Sequence, residues 1–171
     1  MPLFHARRAT AQDLDVLRRL GAEAAGQRST LLAGRRFDPE AWAAARAPTV
    51  VVADGASPWG FAVALPENIP GGAPRCAEVT VYVAAAHRRR GAARAAMTEL
   101  LTVARTMGLW KLVACTLPED PGSRALLARL DFRDVGTLVK HLQIDGSWHD
   151  VVLSERLVLA ARRSLPSIPD V

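Results

Sequence analysis

The sequence is poor in the residues that staple small folds or stack nucleic-acid bases. Cys76 and Cys115 are its only cysteines, too few and too isolated for a disulfide framework or a metal cluster. A reducing cytoplasm is therefore the expected compartment. Aromatic residues are only 5% of the chain, and no lysine- and aromatic-rich strand of the base-stacking kind is present. No apolar run approaches the ~20 residues of a membrane span. The opening M-P-L-F-H-A-R-R has no hydrophobic region long enough for a signal peptide. His5, His87, His141 and His149 show no ligand spacing, so no metal is expected.

What is there suits a single enzyme-sized domain. Half of the 171 residues are hydrophobic and 23% are charged, which is enough apolar material for a real core and argues against disorder. The net charge of +5 raises the question of nucleic acid. The basic residues, however, come as scattered pairs such as Arg7-Arg8 and Arg35-Arg36. Only Arg88, Arg89 and Arg90, with Arg94 one turn on, form a cluster. A local polyanion explains that cluster better than a nucleic-acid or membrane surface.

The cluster lies in the most informative stretch, Glu78 to Met107. E-V-T-V-Y-V alternates and is rich in β-branched residues, a strand signal. From about Arg90 the period becomes helical, with Ala93, Ala96, Met97, Leu100, Leu101, Ala104 and Met107 on one face. Between them lie three arginines followed by Gly91, Ala92 and Ala93. The first N–H groups of a helix have no intrahelical partner and carry the positive end of its dipole. Small residues let a phosphate approach that backbone, and arginine supplies a fork of donors.

In chain order, residues 3–8 read as a short strand, and Thr10 with Asp13 forms a capping box for a helix ending at Gly26. Asp38-Pro39-Glu40 opens a second helix. Thr49 to Asp54 and Trp59 to Leu65 form a hairpin, and a proline- and glycine-rich loop, 66–74, leads to the central strand. After the long helix come a strand at Lys111 to Thr116, a helix from Asp120-Pro121 to Leu130, and two strands flanking Asp145-Gly146. The order β-α-α-β-β-β-α-β-α-β-β predicts an α/β mixed sheet with helices on both faces. Residues 1–161 are expected to form the domain and 162–171 a loose tail.

Arg88-Arg89-Arg90-Gly91-Ala92-Ala93 resembles the R/Q-x-x-G-x-G/A pyrophosphate loop of the GNAT acetyltransferases, and the element order is also theirs. Gly146-Ser147-Trp148-His149-Asp150-Val151 is similar to the G-x-W-H-D-V segment of phosphinothricin acetyltransferase relatives, and Leu117 to Pro121 and E-x-T-V-Y-V point to the same branch. The resemblance implies a mostly antiparallel sheet with one splayed parallel pair. It also implies acetyl-coenzyme A as co-substrate, a small primary amine as acceptor (an amino acid or toxic analogue) and a homodimer.

Acetyl transfer to an amine needs a base for the ammonium proton and donors for the thioester oxygen. Cys76, Glu78, Thr80 and Tyr82 share one face of the central strand, and that polar face suits a cleft wall. Glu78 matches the branch's strand glutamate and is the expected base, with His149 as a second proton-transfer candidate. The resemblance puts the acetyl and pantetheine parts against the backbone of Val81, Tyr82 and Val83. It puts the pyrophosphate on Arg88 to Ala93, within reach of Arg94, and coenzyme A contacts at Asp120 and Ser123. Direct attack is expected rather than a ping-pong route through Cys76 or Cys115.

Three departures stand out. Asp120 replaces the family's asparagine, Leu127 stands where many members carry a proton-donating tyrosine, and Asp131-Phe132 replaces Gly-Phe. Leu127 and Asp120 make a non-catalytic acyl-coenzyme A-binding or regulatory module the alternative expectation.

Overall fold

A computed structural model describes residues 4–27, 31–32, 36–55, 57–66 and 75–158. The loop expected over 66–74 and the tail over 162–171 fall almost wholly outside them. The described residues form a seven-stranded sheet in the order β1-β2-β3-β4-β5-β7-β6. Its strands are β1 (His5–Arg8), β2 (Thr49–Ala53), β3 (Pro58–Pro66), β4 (Cys76–Val83), β5 (Lys111–Thr116), β6 (Arg133–Ile144) and β7 (Ser147–Leu157). The helices are α1 (Leu14–Ala25), α2 (Pro39–Ala44), α3 (Ala92–Thr106) and α4 (Pro121–Arg129). All pairings are antiparallel except β4 with β5. None of these helices is long and apolar enough to cross a membrane.

Two apolar layers hold the sheet between helices. On one face Val50, Val52, Ala62, Ala64, Ala77, Val79 and Val83 pack against Ala96, Met97 and Leu100 of α3 and Leu127 of α4. On the other, Val51, Phe61, Val63 and Tyr82 pack against Leu17, Leu20 and Ala24 of α1 and Trp42 of α2. β2 contributes to both layers, which is why its sequence is an unbroken apolar run rather than an alternation. Gly21 is needed for the second layer: a Cβ there would stand 2.6 Å from Cβ of Phe37.

The end of α4 explains one departure from the family pattern. Phe132 N donates to Leu127 O at 3.0 Å and Asp131 N to Ala128 O at 3.1 Å, a Schellman closure whose hinge residue must be left-handed. Asp131 takes that conformation, with φ of 56°. An aspartate tolerates this region better than most residues with a Cβ.

The expected capping box is present and carries more than a cap. Asp13 accepts from Thr10 N at 2.7 Å and Thr10 Oγ1 at 3.0 Å, and Arg7 grips both its oxygens at 2.8 Å. The Arg7 hydrogen bonds hold the Asp13 carboxyl down to about 2, against the cost of burial and with further help from Thr10. A carboxyl with its folded value depressed stabilises the fold above its unfolded value, and that stability is lost as pH falls through the folded value. Asp13→Asn should therefore cost about 2 kcal/mol at neutral pH. Urea unfolding should show the gap to wild type closing between about pH 4 and pH 2. A gap that persisted at pH 2 would point to lost packing instead.

Candidate active site

The central feature of the site is where β4 and β5 stop pairing. They are in register only at Cys76 with Lys111, Ala77 with Leu112 and Glu78 with Val113. Beyond Glu78 each strand keeps its outer neighbour, β4 with β3 as far as Val83 and β5 with β7 as far as Thr116. The two strands therefore part into a V whose apex is Glu78 and Val113.

Backbone polarity along the β4 arm follows from antiparallel alternation. Ala84 N donates to Trp59 O at 2.9 Å, so Tyr82, two residues earlier, also turns its N–H and C=O towards β3. Val81 and Val83 then turn theirs into the V. The carbonyl of Val83 confirms the orientation, since it accepts from Arg88 Nε at 2.8 Å on that side. Val81 and Val83, expected to hold an extended ligand, thus turn their backbone groups into the V. Tyr82 does not. Its backbone faces β3, and its side chain is 3% exposed beneath α1, donating to Glu23 Oε1 at 2.6 Å. Burial, and then the Glu23 hydrogen bond, push its phenol up to about 12. The polar face expected to be an open wall is covered at this point.

At the mouth of the V, on the β4 side, lies the arginine loop. A short 3-10 turn (Ala85–His87) follows β4, and it is pinned by the His87 ring stacked on Trp59 at 4.3 Å and 10°. Arg89 and Gly91 both have positive φ, 61° and 86°, a conformation that turns successive N–H groups to one concave side. The first bond of α3 runs from Ala95 N to Gly91 O at 3.0 Å, so Ala92, Ala93 and Arg94 precede any intrahelical acceptor. A Cβ placed on Gly91 would meet nothing within 4 Å. The concavity is open, and it suits a pyrophosphate. Arg89, Arg90 and Arg94 are exposed, with no side-chain partner among the described residues. Arg88 differs, being folded back onto Val83 O and onto Gln27 Oε1 at 2.7 Å.

The other arm of the V ends at α4, where the remaining expected residues lie. Asp120 caps α4, accepting from Ser123 N at 3.0 Å and Ser123 Oγ at 2.7 Å. The two residues expected to contact coenzyme A thus bond to each other across the first turn of α4. Leu127 is a core residue, 6% exposed. His149 Nδ1 lies 2.7 Å from Glu119 Oε1, and the Glu119 carboxyl is held below its usual range by its own backbone N–H and then by His149.

Sheet register separates the two expected proton-transfer residues. Glu78 is level with Val113, and Val113 with Glu155, so all three share a face. His149 shares it too, but six residues further along β7, about 20 Å away at ~3.3 Å per residue. Glu78 marks the apex and His149 the mouth. The two cannot serve the same nitrogen, so the expectation for His149 gives way to a hydrogen-bonded rim residue.

Gln27 and Glu119 are the site neighbours that sequence reading missed. Gln27 merely follows the glycine that ends α1, and Glu119 lies within the Leu117 to Pro121 stretch noted above, with no signal of its own for this contact.

A parted parallel pair with a backbone-lined anion site at its mouth defines a class of coenzyme-thioester transferase folds. A model of the acetyltransferase (GNAT) family matches residues 18–132, and the chain belongs to that family. Among solved structures, the yncA protein from Salmonella typhimurium, determined with its cofactor acetyl-CoA, is 22% identical with a TM-score of 0.84, the match covering 96% of this chain and 98% of that one. Ribosomal-protein-alanine N-acetyltransferase from Brucella melitensis is 25% identical with a TM-score of 0.80, over 89% of this chain and 98% of its own. A phosphinothricin acetyltransferase from Sinorhizobium meliloti, in complex with AcCoA, is 23% identical with a TM-score of 0.78, over 92% and 89%. No curated protein matches the sequence.

Proposed function

We propose that the chain transfers acetyl from acetyl-coenzyme A to the primary amine of a small amino acid or amino-acid analogue, by direct attack at the apex of the V. The observation that carries this reading is the parting of β4 from β5 immediately after Glu78. It exposes the backbone of Val81 and Val83 along one arm and leaves a carboxylate where the arms meet.

In this scheme the co-substrate supplies an activated acetyl group, and the chain supplies position and proton handling. Arg89, Arg90 and Arg94, with the N–H groups of Ala92 and Ala93, hold the pyrophosphate. The N–H groups of Val81 and Val83 hold the extended arm, and a donor there stabilises charge on the thioester oxygen. Glu78, half-buried on the α1 side of β4, takes the ammonium proton through water. As the tetrahedral intermediate collapses, the leaving thiolate takes up the second nitrogen proton by way of water rather than a tyrosine proton, because Leu127 stands at that position and is packed in the core.

A thiol-release assay over proteinogenic amino acids, phosphinothricin, polyamines and an alanine-starting peptide tests the reading. The expected result is turnover confined to small α-amines. Turnover on the peptide alone would shift the acceptor to a peptide or protein amine; the Brucella relative is named for a ribosomal-protein alanine. Tight coenzyme A binding without turnover on any amine would favour the non-catalytic module instead.

A further inference from the structure

The four arginines around the loop are not equivalent, and their contacts divide them. Arg88 spends Nε on Val83 O at 2.8 Å and Nη2 on Gln27 Oε1 at 2.7 Å, and its guanidinium carbon lies 5.8 Å from the centre of the Tyr82 ring. Gln27 in turn donates from Nε2 to Tyr82 Oη at 3.3 Å, and Tyr82 Oη donates to Glu23 Oε1 at 2.6 Å. An unbroken polar chain therefore runs from α1 through the only tyrosine of the sequence to the backbone lip of the V. Arg89, Arg90 and Arg94 take no part in it.

We propose that Arg88 is a positioning residue, tying the end of α1 to the Val83 lip, and that phosphate neutralisation falls to Arg89, Arg90 and Arg94. The inference rests on the coenzyme A reading of the loop and assigns its arginines separate tasks. A planar fork suits the strut: one guanidinium reaches a carbonyl and an amide oxygen at once while lying over an aromatic ring. The bond to Val83 O also covers a carbonyl dipole that would otherwise point into the V. Moving Arg88 onto a phosphate would strip a donor from both oxygens, a loss that a new charge-assisted bond would have to exceed.

Two measurements on the whole chain test this, neither needing the acceptor. Calorimetry gives coenzyme A affinity for Arg88→Met, Arg89→Met, Arg90→Met and Gln27→Leu. With 13C at tyrosine Cζ, the sole tyrosine gives one resonance that reports the hydrogen bonding of Tyr82. Arg88→Met and Gln27→Leu should each move that resonance and leave coenzyme A affinity within about twofold. Arg89→Met or Arg90→Met should weaken affinity about tenfold or more without moving it. The proposal is overturned if Arg88→Met loses affinity as Arg89→Met does. It is also overturned if coenzyme A moves the wild-type resonance to its Arg88→Met position, since that shows the guanidinium leaving for the phosphate. Gln27→Leu keeps the arginine and gives an independent arm should Arg88→Met fold poorly. Wild type failing to bind coenzyme A would sink the loop reading, while the tyrosine resonance would still decide the strut.

Discussion

Glu78→Gln should lower kcat by about 10²–10⁴-fold, the usual contribution of a general base, with coenzyme A affinity unchanged. The substitution keeps shape and hydrogen-bonding capacity and removes only the proton acceptor. The structure supports separable effects, because Glu78 sits at the apex and the anion loop lies at the far end of β4. The deficit should narrow as pH rises, because more of the amine then arrives already deprotonated. A wild-type kcat at neutral pH, under conditions where chemistry limits the rate, would remove Glu78 as the base. His149→Asn is the matching control: some 20 Å along the sheet from the apex, it should change kcat far less than Glu78→Gln. A comparable fall in both would show that the V closes in a way its strand register does not display.

Gly91→Glu should abolish coenzyme A binding while leaving the chain folded. Gly91 has φ of 86°, so any side chain adds backbone strain of roughly 1–2 kcal/mol. Nothing stands within 4 Å of a Cβ there, so no clash compounds that strain. The new side chain occupies the space above the first N–H groups of α3, and its carboxylate repels the phosphates those groups would bind. Gly91→Ala separates the two contributions: it carries the same strain without the charge and should bind coenzyme A more weakly than wild type but measurably. Calorimetry on variants with matched circular dichroism decides the matter. Unchanged affinity in folded Gly91→Glu would move the pyrophosphate away from this loop.

Much of the architecture is legible because local patterns carry it. The period-two run of β4, the helical period from Ala93, the capping residues Thr10, Asp13 and Asp38, and the Asp145-Gly146 turn each specify structure within a few residues. Edges were less legible: β3 runs from Pro58 to Pro66 rather than from Trp59 to Leu65, and β6 carries irregularities at 134–136 and 138–142 that no alternation pattern announces. The αL aspartate at Asp131 is intelligible only once the Schellman closure is seen.

By itself, then, the sequence determined the element order, the arginine and glycine turn at Arg88 to Ala93 and the polar face of the central strand, because neighbouring residues share one backbone period. Tertiary structure decided how those pieces meet. It buried Tyr82 under α1, bound Arg88 to Gln27 across 61 residues of chain, committed Asp120 to a cap and placed His149 far from Glu78. Such outcomes depend on strand register and on which strand keeps which neighbour past Glu78. Long-range pairings of that kind are set by the packing of the whole sheet, which leaves no local period in the chain.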